Sequence, residues 1–314
     1  MNYYEYKMNI AVLLTCHNRK QKTENCLNSF LKAIDFYNNS HKTTINYKIF
    51  LTDDGCTDGT AEAIRNILPD KSTLHVLHGD GYLYWAGGMR MCWKEALKSD
   101  ISWNYYFLLN DDVELMNCVF SELFNAEQYT LKNIGAEGLV SGITCNPEQP
   151  AQVTYGGSVW TNKMLFTHKR LNPIGTPQPC DIANANILLV PAIIVKKIGI
   201  FYDKYQHSLA DYDYSIMAHK AGFPVILTAN ACGYCQHDHN NQNAESKKII
   251  GMSLTERKKY FQHPTRSNKD YLSFIKRVCP LRLPIVWIGR TLNVYLPRLY
   301  YTLRDFSNRI APLK

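Results

Sequence analysis

The chain predicts an α/β fold built around a mostly parallel sheet, and three observations carry that prediction. Apolar runs of strand length alternate with helix-length stretches of 3.6-residue periodicity from Ile10 to Leu109. Acidic clusters stand at or near the ends of such segments: Asp53-Asp54, Asn110-Asp111-Asp112 and, later, Asp211 with Asp213. The composition, 46% apolar and 20% charged over 314 residues, supports a real core and allows one large domain plus an appendage.

Each element follows from its own pattern. Ile10–Thr15 (IAVLLT) is continuously apolar, as a strand buried on both faces must be. Residues 20–36 read as a helix with Cys26, Leu27, Phe30, Leu31 and Ile34 on one stripe. Residues 48–52 (KIFLT) form the second strand, which ends at Asp53-Asp54-Gly55. Thr57 or Asp58 then caps a helix reaching Ile67. Residues 74–78 are the third strand, 87–97 a helix, and 105–109 (YYFLL) the fourth strand, ending at Asn110-Asp111-Asp112. In the second half, 153–160, 187–190 and 225–228 read as strands and 209–220 as a helix ending before Gly222. Ligands of such sheets bind beyond the carboxyl ends of the strands, so Asp53 and Asp112 are expected in one crevice.

Charge divides the chain unevenly. Of the net +8, residues 256–314 hold 13 Lys and Arg against 3 Asp and Glu, while the rest holds 22 against 24. We expect a domain over residues 1–246 and a basic, aromatic helical extension over 247–314, cut into short pieces by Pro280, Pro284 and Pro297. Such a tail suits an anionic membrane surface, a subdomain packed on the core or a homodimer contact. No recognised nucleic-acid-binding module is visible, and no nucleic-acid partner is expected. The N-terminus lacks an apolar signal segment, so the ten cysteines are expected as reduced, mostly core thiols in the cytoplasm.

The chemistry of the motifs is oxygen chemistry. A carboxylate at a strand end, as at Asp53, can accept the N3–H of a uracil or thymine ring, although Asp-Gly also builds simple turns. Asp112, with Asn110 as a neutral oxygen donor, suits Mg²⁺ or Mn²⁺, which take one or two carboxylates together with substrate phosphates. Cys232-x-x-Cys235 followed by His237 and His239 resembles a zinc set, but the spacing is too tight for a finger and no second Cys pair follows.

Ile10–Arg19 (IAVLLTCHNR), Leu51–Thr60 (LTDDGCTDGT) and Leu108–Leu115 (LLNDDVEL) resemble successive motifs of the family 2 glycosyltransferases, which have the GT-A fold. Asp181–Pro191, Ile198–Tyr205 and Ala210–Phe223 (ADYDYSIMAHKAGF) extend the resemblance, to roughly residues 8–240, with a rhamnosyltransferase-like flavour of bacterial polysaccharide enzymes.

The resemblance implies an inverting, metal-dependent transfer from a UDP- or dTDP-sugar donor to a saccharide hydroxyl, on an acceptor such as a lipid-linked O-antigen or capsule precursor. The inner membrane face would be its workplace. Asp211 matches the catalytic base, although Ala210 replaces the usual preceding Glu. Asp112 matches the metal-binding acid, with His237 completing the site and Asn110 replacing the first acid of the Asp-x-Asp motif. Thr15, Asn18, Asp53, Asp54, Asn110 and Asp111 are expected around the donor nucleotide. Gly87 and Arg90 are expected at its phosphates. Trp85, Asn184, Tyr212 and Asp213 are expected at the acceptor. The rivals are a sugar-phosphate nucleotidyltransferase and a non-catalytic membrane or zinc adaptor.

Overall fold

The computed structural model describes residues 7–163, 165–236 and 242–310, with side chains left undescribed at 242–244 and 307–310. The first half is built from β1 (Lys7–Cys16), α1 (Lys20–Ser40), β2 (Thr44–Asp53), α2 (Thr60–Ile67), β3 (Leu74–His78), α3 (Tyr84–Lys98), β4 (Tyr105–Leu109), β5 (Glu114–Leu115) and α4 (Val119–Ile134). Next come β6 (Leu139–Cys145), β7 (Val153–Tyr155), β8 (Gly157–Asn162), β9 (Thr167–Arg170), β10 (Gln178–Pro179), β11 (Ile182–Ala183) and β12 (Ile187–Pro191). Helices α5 (Ala192–Ile198) and α6 (Ala210–Lys220) precede β13 (Val225–Tyr234). The chain ends in α7 (Gln242–Gly251), α8 (Leu254–Gln262), α9 (Asn268–Val278), α10 (Leu283–Tyr295) and α11 (Pro297–Ile310).

The main sheet runs β10-β13-β6-β12-β4-β1-β2-β3. Strands β4, β1, β2 and β3 are mutually parallel, as are β6 and β13, and β12 runs against both β4 and β6. The alternation of strand side chains separates two cores. Ala11 and Leu13 of β1 pack with α3, α5 and α6, whereas Ile10, Val12 and Leu14 pack with α1 and α4 on the other face. Burial on both faces accounts for the unbroken apolar run of β1.

Three departures from the sequence reading have local causes. The run 153–160 is two strands, because Gly156 (φ 150°) turns the chain from β7, on the main sheet, to β8, in a three-stranded sheet ordered β11-β8-β9. Helix α3 begins one turn early, at Tyr84, because Asp54 and Gln206 satisfy its first N–H groups. Helix α2 starts behind Gly59 in the left-handed conformation (φ 75°), while Asp58 accepts the N–H of both Thr60 and Lys20 and so ties α2 to α1.

The C-terminal helices are partly built into the body. Phe274 and Ile275 of α9 join the core beneath α6, while Ile249, Phe261, Val294 and Tyr301 form a small cluster of their own. Pro284 lies in the first turn of α10 and Pro297 opens α11, positions where a missing N–H costs nothing. No helix among the described residues is long and apolar enough to cross a membrane.

Candidate functional site

The parallel strands β1, β2 and β4 end side by side, and β12 begins beside the end of β4, with Ile187 opposite Leu109. Loops leaving these ends carry the acids. Among the described residues, three of the four non-glycine residues with positive φ are Asn18 (50°), beyond β1, Tyr84 (54°), at the start of α3, and Leu209 (70°), just before α6. Each such residue costs about 1–3 kcal/mol and is held by its surroundings.

At the end of β2, Asp53 and Asp54 have different jobs. Asp54 accepts the N–H groups of Gly81 (2.9 Å), Leu83 (3.3 Å) and Tyr84 (3.0 Å), so it fixes the loop into α3. Both its oxygens are thereby engaged with the backbone of that loop. Asp53 accepts the Cys56 N–H through Oδ1 (2.7 Å), while its Oδ2 lies 3.9 Å from His78 Nδ1. Exposed Asn18 joins the β1 and β2 loops by accepting the Thr57 N–H at 2.7 Å. Thr15 lies buried under α3 against Gly88, where a Cβ would collide with its hydroxyl; it is a packing residue, not an accessible pocket wall. Cys16, Asp53 and Cys56 hold donor atoms within 4.8 Å of one another, the only such His/Cys/Asp/Glu group of three among the described residues.

At the end of β4 the arrangement is reversed. Asp111 is buried, and burial pushes its carboxyl up to about 6 against the pull of Arg19. Its Oδ2 has no hydrogen-bond partner. Asp112 is half-buried at the surface. Arg19 Nη1 bridges both acids, at 3.2 Å from Asp111 and 3.1 Å from Asp112. Asn110 Oδ1 accepts the Trp85 indole N–H at 2.7 Å. Arg19 was not singled out from the sequence; the available signal was a cation three residues beyond a strand end that faces an acidic loop.

Asp211 opens α6. It accepts N–H groups from Tyr212 (2.9 Å), Ala185 (3.3 Å) and the Asn184 amide (3.4 Å). Burial raises its proton affinity, partly offset by those bonds. Tyr212 is half-buried, with its ring edge-on to His168 at 5.8 Å. Asp213 is a correction to the acceptor-site expectation. Its buried carboxylate accepts from Arg277 Nε of α9 at 3.0 and 3.1 Å and is engaged in that ion pair.

The segment Asn184-Ala185-Asn186 joins these acids. Asn184 and Ala185 hold Asp211, whereas the Asn186 carbonyl accepts the Asn110 N–H at 3.1 Å. The Asn186 amide meets Cys235 Sγ (3.7 Å), which in turn meets Asp112 Oδ1 (3.7 Å). Two residues of chain span at most about 7 Å, so the Asp211 carboxylate lies within roughly 14 Å of the Asn110 backbone. The Asn184–Asn186 segment therefore links the Asp211 carboxylate to the Asn110–Asp112 loop.

Two expectations for α3 do not fit the geometry. The N–H groups of Ala86 and Gly87 donate to the Gln206 carbonyl (3.1 and 3.3 Å), so the helix start is already capped. Arg90 donates to the carbonyls of Tyr202 (3.2 Å) and Tyr205 (2.5 Å) and is spent on the α5–α6 loop. Trp85 stands beside Asn110 with its ring 5.5 Å from Phe201. Cys232 is buried and bonds Thr228, and Cys235 meets Asn186 and Asp112. His237 and His239 lie outside the described residues.

Residues 11–133 match the family described as Glycosyl transferase family 2. The match takes in the N-terminal part of the chain, which is similar to that family. That segment contains the ends of β1, β2 and β4 with Arg19, Asp53 and Asp112. No curated protein matches the sequence. Among solved structures, S. aureus TarS (residues 1–349) superposes with a TM-score of 0.51 at 12% identity, covering 93% of this chain and 88% of that one. The mannosyltransferase PcManGT from Pyrobaculum calidifontis, in complex with GDP-Man and Mn²⁺, gives a TM-score of 0.49 at 13% identity over 98% of this chain and 77% of that one. The fold is the mixed, mostly parallel GT-A sheet with a C-terminal helical segment.

Proposed function

We propose that the chain transfers a sugar from a UDP- or dTDP-linked donor to a hydroxyl of a saccharide acceptor, with inversion at the anomeric carbon. The observation that supports this reading is the Asn184–Asn186 bridge, which links Asp211 to the Asn110–Asp112 loop beyond the end of β4. Asp211 acts as the base: it takes the acceptor hydroxyl's proton as that oxygen attacks. Its raised proton affinity suits that task, and the N–H groups of Ala185 and Tyr212 fix its aim. Asp53 and Asn18 hold the nucleoside, and Trp85 with Tyr212 offers ring faces to sugars.

The donor set at Asp112 fits a divalent ion. It offers a surface carboxylate with a buried, unpartnered Asp111 oxygen in the same loop, and hard oxygen ligands are what Mg²⁺ or Mn²⁺ takes. Asp112 would hold it, with His237 as the expected second ligand, and the ion would neutralise charge on the departing diphosphate. Arg19 holds Asp111 and Asp112 in place and adds a fixed positive charge to the same edge. The acceptor in this reading is a lipid-linked saccharide met at the inner membrane face.

The product separates this reading from nucleotidyl transfer. Incubation with UDP- or dTDP-sugars and a lipid-linked saccharide should release nucleoside diphosphate. Release of pyrophosphate from UTP or dTTP with a sugar phosphate, and no nucleoside diphosphate, would overturn it.

A further inference from the structure

We propose that α10 and α11 seat the protein on an anionic lipid surface. Nine large apolar side chains between Leu281 and Phe306 are exposed, out of nineteen among the described residues, so exposure is concentrated in one short stretch. On α10 they recur at helical spacing: Ile285 (71% exposed) and Ile288, with half-buried Leu292 continuing the row and Leu281 in the turn just before the helix. On α11 the row is Leu299, Leu303 and Phe306 (61% exposed), and Leu296 stands between the helices. No charged residue interrupts either row. The opposite sides of the same helices carry Val294 and Tyr301 into the small C-terminal core. The exposed rows are therefore left over after folding is complete, and contiguous exposed apolar surface of this kind marks an interaction site.

Charge selects the occupant. A groove of about 680 Å³ between α9 and α10 is lined by Leu272, Leu283, Pro284 and Trp287 and flanked by Lys269 and Lys276. Both lysines are exposed, seven residues apart on one face of α9. The segment from residue 256 onward is strongly basic, and a second copy of this face would oppose like charge with like. An anionic bilayer instead accepts the apolar rows at its acyl boundary and the lysines at its phosphates. No described helix is fit to span a bilayer, so the attachment is interfacial. A neighbouring groove of about 390 Å³ shares Lys269, Leu272 and Trp287 and reaches Gln206, the residue whose carbonyl caps α3. This groove lies on the Val294 side of α10, away from the exposed row, so the helix that carries the row also packs toward a loop that shapes the acidic site.

The inference deepens the proposed function, which supplies the acceptor, but its test is independent of turnover. Flotation of the full chain, without nucleotide, is compared on vesicles of phosphatidylcholine alone and of phosphatidylcholine with phosphatidylglycerol. The chain should float with the mixed vesicles, less so in high salt, and remain unbound with neutral ones. Ile285→Asp with Ile288→Asp should lower partition about tenfold or more, and Lys269→Glu with Lys276→Glu should do so on the mixed vesicles. These side chains are exposed, so the melting temperature should be unchanged, and a pair that lowered it would be replaced by Leu299→Asp with Leu303→Asp. No flotation of the unaltered chain on anionic vesicles overturns the proposal. So does undiminished flotation of the folded variants, or a dimer in sedimentation that Ile285→Asp with Ile288→Asp dissociates without any lipid binding. Flotation without sugar transfer would instead fault the proposed function and leave this surface standing.

Discussion

The loops after β2 and β4 each carry two consecutive aspartates and use them in opposite order. After β2 the second acid, Asp54, is consumed by three backbone N–H groups, and the first, Asp53, keeps an oxygen at the site. After β4 the first acid, Asp111, is buried behind Arg19, and the second, Asp112, reaches the surface. Asp53 is the last residue of β2, whereas Asp111 and Asp112 lie in a turn beyond the end of β4. The two loops therefore bury opposite members of their acid pairs more deeply. Asp211 and Asp213 repeat the division on a helix, where Asp213 is taken by Arg277.

The comparison can be broken most severely at Asp54. Asp54→Ala leaves three N–H groups of the 81–84 loop without their acceptor, and should cost about 3–5 kcal/mol of stability in denaturant unfolding. Asp53→Ala should cost much less, because it loses one N–H contact. Equal losses would mean that the two acids share one role.

A buried carboxylate outside both loops sharpens the same point at smaller cost. Glu127 of α4 is buried with one donor, the Tyr105 hydroxyl at 2.6 Å, and a second oxygen without a partner. Burial pushes its carboxyl from 4.5 to about 7. The folded state then holds the proton more tightly than the unfolded chain. Its contribution to stability is present below about pH 4.5 and lost as pH rises through about 7. Glu127→Gln keeps the tyrosine bond and cannot ionise. It should flatten that fall and raise stability above pH 7 by about 1–3 kcal/mol, read from unfolding curves across this pH range. An unchanged pH profile would contradict the assignment.

Much of the fold was legible because strand ends and periodicity are local signals. The runs of β1 to β4 and the helices between them follow from burial on two faces and from one-sided stripes. The break at Gly156 was not legible, since the apolar pattern continues through it and only the pairing of β7 and β8 with different sheets reveals the turn. In the site, residue type and order pointed to Asp53, Asp112 and Asp211. The fates of Asp54, Gly87, Arg90 and Asp213 depended on partners 27 to 119 residues away, such as Tyr205 and Arg277. Arg19 and the Asn184–Asn186 bridge were missed for the same reason: their meaning lies in what β12 and β4 bring together.

The central claim is that Asp112 and Asp211 serve opposite sides of one transfer. The most direct measurement is calorimetric donor binding alongside turnover for Asp112→Ala and Asp211→Asn, with Mn²⁺ present. Asp211→Asn should bind donor as the unaltered chain does while turnover falls by about 10²–10⁴-fold, whereas Asp112→Ala should lose donor affinity itself. Full turnover in Asp211→Asn, or undiminished metal-dependent donor binding in Asp112→Ala, would contradict the account.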